Sequence, residues 1–300
     1  MPQQQNPSIA LAKTLRDHDC LMLPGAYDAF SAKLVQESGF DAVYVGSYAT
    51  AAAGFGLPDV GALTLDQLTR HAGSIVGAVD LPVIADAEGG FFEPPNMWRT
   101  IRAFEEAGVA AIHIEDHAGG KHTNLPQTLI PLDLMLQRLR AALDARRNKD
   151  FIIIARTDAI WANHDIDEAV RRLRAFAEIG IEYFFPNGAS PEVLREMRRQ
   201  LPIGRFVTIN LPSVRNRSEW NGAADLVIDY GYCLQAVAKS LVIALAEFRS
   251  SDEVDRTDAL IENAATFEAR LGYAEFTEQA LRYAAMHTDS AVDHEQALHR

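Results

Sequence analysis

Cysteine is nearly absent from this chain: two residues, Cys20 and Cys233, in 300. That number rules out a disulfide framework and a cysteine-rich metal site, and the apolar neighbours of both residues point to reduced, buried thiols. Basic clusters are also missing. The chain has 28 Lys and Arg against 41 Asp and Glu, a formal charge of −13. Arg146-Arg147, Arg171-Arg172 and Arg198-Arg199 are separate pairs mixed with acids and apolar residues, as on solvated helix faces. A phosphate backbone needs more than this, so no nucleic-acid partner is expected. No apolar run approaches the roughly 18 residues of a membrane span. The opening MPQQQNPSIA has neither the basic nor the apolar region of a secretory signal, so a cytoplasmic location without a membrane partner is expected. Neither G-x-G-x-x-G nor G-x-x-x-x-G-K-[ST] occurs, which removes the usual nucleotide loops.

What the chain does have is alternation. Eight short apolar runs read as strands: Cys20-Leu23, Ala42-Gly46, Val83-Asp86, Ala111-Glu115, Phe151-Arg156, Tyr183-Pro186, Phe206-Asn210 and Leu226-Asp229. They are continuously apolar rather than alternating, as in a parallel sheet covered on both faces. Helical patterns separate them, over Ser31-Ser38, Leu65-Val79, Met97-Ala107, Leu132-Arg147, Asp167-Ile179 and Pro191-Gln200. Asp167 and Pro191 suit first turns, and Gly108 and Gly180 suit helix ends. Eight strand-helix units in roughly 230 residues match an α/β fold of the (β/α)8 barrel type. An acidic stretch, Ser250-Asp258, precedes a long helical pattern from about Ala259 to about Ala285 that a closed barrel does not need. The expected organisation is a catalytic barrel over 1–250 and a helical extension over 251–300 that serves oligomerisation.

In such a barrel the loops after the strands carry the chemistry, and polar residues do collect there. The strand ends read Gly46-Ser47, Asp86-Ala87-Glu88, Glu115-Asp116, Arg156-Thr157-Asp158 and Asn210. Asp86, Glu88 and Glu115 lie on adjacent strands. Three converging carboxylates repel unless a proton or cation is shared among them. Oxygen ligands without Cys or His nearby suit Mg²⁺, or Mn²⁺, rather than Zn²⁺. The other reading is that these acids cap loops or pair with Arg156 or Lys121. Arg156 fits a bidentate contact with a substrate carboxylate or phosphonate, or a salt bridge to Asp158 or Glu115. Ser47 offers a hydroxyl and turn amides to an anion. His117-Pro131 has no period of its own, contains Gly119-Gly120 and carries Lys121, His122, Thr123 and Asn124, which reads as a lid with a glycine hinge.

Several stretches carry a resemblance: Leu23-Pro-Gly-Ala-Tyr-Asp-Ala29, Val43-Tyr-Val-Gly-Ser47, Leu57-Pro-Asp59, Pro82-Val-Ile-Ala-Asp-Ala-Glu88, His113-Ile-Glu-Asp116 and Ile154-Ala-Arg-Thr-Asp158. With them the chain resembles the isocitrate lyase and phosphoenolpyruvate mutase superfamily over nearly its whole length. The resemblance implies a barrel whose last helix is swapped between subunits, commonly in a homotetramer. It implies Mg²⁺ held by Asp86, with Glu88 and Glu115 reaching it directly or through water. Ser47, with Tyr44, Gly46 and the nearby amides, would hold a substrate carboxylate. Arg156 would contact the substrate, Asn210 its distal carboxylate, and Asp59 would lie close to the reacting group.

Two departures from the superfamily pattern shape the functional expectation. The lyases of isocitrate, methylisocitrate and dimethylmalate carry a Lys-Lys/Arg-Cys-Gly-His loop after the Glu-Asp pair, whereas this chain reads Glu115-Asp-His-Ala-Gly-Gly-Lys-His-Thr-Asn124. Without that cysteine another acid must protonate the departing carbon, and Lys121 and His122 are the lid-borne candidates. The loop is similar to Lys-Ser-Thr loops of the oxaloacetate decarboxylase branch, and Lys121 with Asn124 bears a looser likeness to mutase and phosphonopyruvate hydrolase loops. Glu88 stands where most members have Asp. The expected function is a Mg²⁺-dependent carbon-carbon lyase or decarboxylase of a small 2-oxo or 2-hydroxy di- or tricarboxylic acid, acting through an enolate. The alternatives are phosphonopyruvate-type P–C chemistry and a barrel that binds a dicarboxylate without turnover.

Overall fold

The computed structural model describes residues 6–201, 204–250 and 261–283. Eight strands lie in chain order: β1 (Leu21–Pro24), β2 (Val43–Val45), β3 (Val83–Asp86), β4 (Ala111–Glu115), β5 (Ile152–Thr157), β6 (Tyr183–Pro186), β7 (Arg205–Ile209) and β8 (Leu226–Asp229). All pairings are parallel, in the order β1-β8-β7-β6-β5-β4-β3-β2. Between β1 and β2 the cylinder closes through one parallel bridge, Gly25 to Tyr44, where the Ala26 amide donates to the Tyr44 carbonyl at 2.8 Å. The expected (β/α)8 barrel is the fold observed.

Period-two alternation sets the site. On β3, Val83 and Ala85 pack outward against the helices while Ile84 joins the barrel interior. On β4, Ile112 and Ile114 face outward and Ala111 inward; on β5, Ile153 and Ala155 face outward and Ile152 and Ile154 inward. Asp86, Glu115 and Arg156 continue the inward series, and register pairs Glu115 with Arg156 directly.

The helices are α1 (Pro7–Asp17), α2 (Ala29–Glu37), α3 (Ser47–Phe55), α4 (Leu65–Val76), α5 (Met97–Ala107), α6 (Leu132–Ala145), α7 (Ala159–Asn163), α8 (Ile166–Glu178), α9 (Pro191–Gln200), α10 (Tyr232–Ser250) and α11 (Ala264–Arg270). Capping fixes their starts. Asp28 and Ser31 form a capping box on α2, Thr64 and Gln67 one on α4, and the Ser190 hydroxyl accepts from Val193 N with Pro191 at the first turn of α9. Gly108, at φ +82°, closes α5 in the left-handed conformation that glycine adopts without strain.

The chain divides into two compact units, Met1–Val237 and Ala238–Arg300. The single helix expected over Ala259–Ala285 is not formed as such. Residues 259–260 and 284–285 lie outside the described residues. Between them α11 begins only at Ala264, where the Asn263 side chain accepts from Thr266 N, and the helix stops at Leu271 before Gly272 at φ +81°. A second helical segment runs over 273–283. Gly272 interrupts the apolar period that had read as continuous. Among the described residues no helix is long and apolar enough to cross a membrane.

Candidate functional site

Asp86, Glu88 and Glu115 bring one carboxylate oxygen each within 4.8 Å of one another, all at least nine-tenths buried. The turn after β3 accounts for this. Asp86 Oδ1 accepts from Glu88 N at 2.7 Å, and the turn holds Glu88 at φ +50°, a left-handed conformation that disfavours side chains. Glu115 N donates to the Glu88 carbonyl at 2.9 Å, tying the turn to β4. Ser47 Oγ, at the start of α3, donates to Asp86 Oδ2 at 3.0 Å.

Two cations face this cluster. Lys121 Nζ lies 2.9 Å from Glu88 Oε2 and 2.9 Å from Glu115 Oε1. Arg156 makes a fork to Asp158, Nε to Oδ1 at 2.7 Å and Nη2 to Oδ2 at 3.0 Å, and its Nη1 stands 3.1 Å from Glu115 Oε2. Both readings of the acids therefore meet in one place. The carboxylates converge as metal ligands would, and Lys121 and Arg156 pair with them.

Four buried carboxylates, Asp86, Glu88, Glu115 and Asp158, thus face two cations, so they cannot all stay ionised unless a proton or a further cation joins them. The titration of the group reflects this. Burial pushes Glu115 up to about 8 against the pull of Arg156 and Lys121. Glu88 is also raised, by burial and by Asp86. For Asp86 burial is outweighed by the pull of His113, Lys121, Arg156 and the Glu88 amide, which hold it well below the usual carboxylate range. Glu115, Asp86 and Glu88 likewise overcome burial to hold the Lys121 ammonium charged. Glu88 Oε1 is buried without a hydrogen-bond partner, and Glu115 Oε2 has the Arg156 ion pair but no aligned hydrogen bond. An all-oxygen set of three converging buried carboxylates, two of them held towards the protonated form until a further cation joins them, fits a hard divalent cation.

Around this centre the support is buried. His113 Nε2 meets the Tyr44 hydroxyl at 2.9 Å, and burial drives the imidazole down to about 4, so the ring is neutral. Asn187 Nδ2 donates to Asp158 Oδ1 at 3.0 Å, while its Oδ1 is buried without a partner. Asp116 Oδ1 accepts from Asp158 N at 2.9 Å, and its Oδ2 accepts from Arg172 at 3.0 Å.

The lid between β4 and α6 has a paired foot. Ala118 N donates to the Thr128 carbonyl and Ile130 N to the Asp116 carbonyl, each at 2.8 Å, around a His117–Leu129 antiparallel bridge. Its tip turns through Gly119 (φ +108°), Gly120 (φ +73°) and His122 (φ +60°). Gln127 braces it, Nε2 reaching the Leu125 carbonyl at 2.7 Å and Oε1 lying 2.9 Å from His117 Nε2. This fold buries Lys121 in the site and sets His122 Nε2 3.5 Å from Asp59 Oδ2.

A cavity of about 550 Å³, open mouth included, collects these groups. Of the residues expected from sequence, Tyr44, Gly46, Ser47, Asp59, Asp86, Lys121, His122 and Arg156 line it. Glu88 and Glu115 stand behind them. Asn124 and Asn210 are not in the lining: Asn124 is exposed, and Asn210 Nδ2 donates to Asp229 Oδ2 at 2.9 Å. Sequence reasoning missed Tyr48, Trp161, Phe185, Asn187 and Tyr230. Asn187 and Tyr230 directly follow β6 and β8, so the strand-end rule applied to every strand would have found them.

Comparison with known proteins agrees with this geometry. The phosphoenolpyruvate phosphomutase family model matches residues 11–242. The chain belongs to the isocitrate lyase/PEP mutase superfamily. Within the superfamily it is 40% identical over 196 residues to 2,3-dimethylmalate lyase of Eubacterium barkeri, covering 65% of this chain and 67% of that one. It is 34% identical over 230 residues to probable 2-methylisocitrate lyase 2 of Corynebacterium glutamicum, covering 74% and 72%. A solved phosphoenolpyruvate phosphomutase from Streptomyces platensis subsp. rosaceus superposes with a TM-score of 0.85 at 28% identity, covering 92% of this chain and 99% of that one. With these relatives the chain stands as a carbon-carbon lyase of the superfamily.

Proposed function

We propose that this lyase uses a divalent metal, Mg²⁺ before Mn²⁺, to break a carbon-carbon bond in a small 2-oxo or 2-hydroxy acid of oxaloacetate-like or 2-substituted malate-like type. The observation that carries the reading is the convergence of Asp86, Glu88 and Glu115 within 4.8 Å behind a cavity lined by Ser47 and Arg156. Bound by those three carboxylates, the metal supplies Lewis-acid stabilisation to a developing enolate oxygen.

The chain's own residues supply the rest. The first-turn amides of α3 lack partners within the helix and hold a substrate carboxylate, and Ser47 Oγ joins them when its proton turns from Asp86 Oδ2 to the substrate. Arg156, kept flat by its fork to Asp158 and lying 5.3 Å over the Phe185 ring, orients the acid. Cleavage of a 2-hydroxy acid sends the hydroxyl proton to a base and turns that carbon into a carbonyl. The electron pair of the broken bond stays on the neighbouring carbon, which is then protonated. Asp59 is placed to take the first proton, and Lys121 Nζ or His122 Nε2 to deliver the second, in the role of the absent cysteine. The closed lid, with Lys121 only 4% exposed, keeps water from the carbanion.

Exposed apolar side chains along α10, Leu241, Val242, Leu245 and Phe248 among them, support a homo-oligomer, a tetramer by helix exchange in the manner of the superfamily. We read the protein as cytoplasmic. The test is a proton-NMR assay with Mg²⁺ against oxaloacetate, 2-methylisocitrate, 2,3-dimethylmalate and phosphonopyruvate, with Asp86→Ala in parallel. Pyruvate from a carbon-carbon substrate, abolished in the variant, is the expected result. Turnover of phosphonopyruvate alone would transfer the site to P–C chemistry, and a melting shift without product from any acid would leave a binding barrel.

A further inference from the structure

The cavity has two unlike halves. Among the described residues, every Lys, Arg and His in its lining already stands against a protein carboxylate: Lys121 against Glu88 and Glu115, Arg156 against Asp158 and Glu115, His122 against Asp59. The rest of the lining includes an unbroken chain of rings. Tyr230 meets Tyr48 edge-on at 5.3 Å, Tyr48 meets His122 at 6.0 Å, and His122 meets Trp161 at 5.5 Å. Ile209 and Ile228 also line the cavity. His122 is on the lid, so the ring wall is complete only when the lid is down.

A malate-type acid brings two carboxylates. The α3 amides with Ser47 and the metal account for one, and Arg156, whose fork can be shared, for the other. A third carboxylate would find no further cation beyond Arg156, only the neutral O–H and N–H groups on the ring edges of Tyr48, Tyr230, His122 and Trp161, and would lose much of its water there, a desolvation cost. An alkyl or aryl arm at the same place gains burial and edge-to-face contacts instead. Resting on the proposed lyase reading, we propose that the substrate is a dicarboxylate whose departing carbon bears an apolar arm larger than methyl, seated against Tyr230, Tyr48, His122 and Trp161, and that tricarboxylates are rejected. Trp161 and Tyr48 are then specificity-determining residues that touch the arm and not the breaking bond.

The experiment uses the full-length metal-loaded protein and a ladder of 2-methylmalates bearing hydrogen, methyl, isobutyl, benzyl or carboxymethyl at carbon 3, with pyruvate release as the readout. The expected kcat/KM rises roughly tenfold or more from methyl to isobutyl or benzyl and falls roughly a hundredfold from methyl to carboxymethyl. Trp161→Ala flattens the apolar rise and Trp161→Phe keeps it. A carboxymethyl compound as good as the methyl one overturns the inference, and so does a flat apolar series in the unmodified protein. In parallel, calorimetry compares 2-methylsuccinate, 2-benzylsuccinate and tricarballylate, which need no chemistry to bind. If no malate is cleaved but 2-benzylsuccinate binds at least tenfold more tightly than tricarballylate, the lyase reading falls and the apolar subsite stands. If tricarballylate binds as well as 2-benzylsuccinate, the subsite falls whatever the assay of turnover gives.

Discussion

Arg172, on the outer helix α8, donates to Asp116 Oδ2 at 3.0 Å and to the Ile130 carbonyl at 3.1 Å, so a single guanidinium fastens both ends of the lid. Asp116 in turn presents the Asp158 amide, and Asp158 flattens Arg156. Replacing Arg172 with Met leaves a buried carboxylate without its cation. We expect a loss of about 3–5 kcal/mol in unfolding free energy, measured in urea, with Arg172→Lys intermediate because an ammonium can serve the acceptors of Nη1 but gives up the Nε bond to Glu168.

Lys121→Ala removes the cation shared by Glu88 and Glu115 together with a lid-borne proton donor. The expected fall in kcat is about 10²- to 10⁴-fold, followed by the rate of 2-oxo acid formation. A change of about threefold or less, under roughly 0.7 kcal/mol of barrier, would remove the lid from the chemistry.

The thiols should be quiet. Burial and the charge of Asp225 push Cys20 from 9.0 up to about 11 despite Arg198 and Arg217, and Cys233 is raised as well. Only the thiolate alkylates, so iodoacetamide at pH 8 should label Cys20 in the folded protein roughly a hundredfold more slowly than in urea. The thiolate is the high-pH form, so the rate climbs as pH rises towards 11. Peptide-resolved mass spectrometry reads both sites.

Gly25 sits where the barrel closes. A Cβ there would run into the Tyr230 backbone oxygen, which belongs to the segment carrying a wall of the cavity. Backbone cannot yield as a side-chain tip can, so Gly25→Ala should cost about 1–3 kcal/mol or more and lower activity together with Tm in a thermal melt.

Leu241→Glu with Phe248→Glu places charges on the exposed apolar side chains of α10, which are 53% and 64% exposed in one chain. Analytical ultracentrifugation should show the double variant as smaller species than the unmodified protein at equal concentration.

Strands buried on both faces declare themselves as apolar runs closed by a polar residue or, after Tyr183, by a proline. For that reason Val83–Asp86, Ala111–Glu115, Tyr183–Pro186 and Leu226–Asp229 coincide with their expected limits, and Asp86, Glu115 and Arg156 were legible as site residues. Helix α3 was not, because Ser-Tyr-Ala-Thr-Ala-Ala-Ala-Gly-Phe has no polar face to give a period. The ring wall as an assembly was illegible for another reason, although His122 was read on the lid and Tyr230 follows a strand end. Tyr48, His122, Trp161 and Tyr230 come from four separate loops and helices, and only the closed cylinder brings them together. Asn210 shows the opposite limit: its position at a strand end was readable, but its hydrogen bond to Asp229 was not.

The paired foot and glycine tip of the lid give this chain a built-in clock. Between His117 and Pro131, Lys121 is the sole Lys or Arg, and its side chain is 4% exposed. A trypsin molecule can cut after it only while the tip has swung out, whereas the foot stays laced through Ala118, Thr128 and Ile130. The nick at Lys121–His122 therefore reads the open fraction of the lid at low trypsin, and the opening events themselves once trypsin is raised until the rate no longer depends on it. Its rate, followed as two fragments appear on a gel, reports how often the chamber admits a guest and how firmly a bound guest keeps it shut.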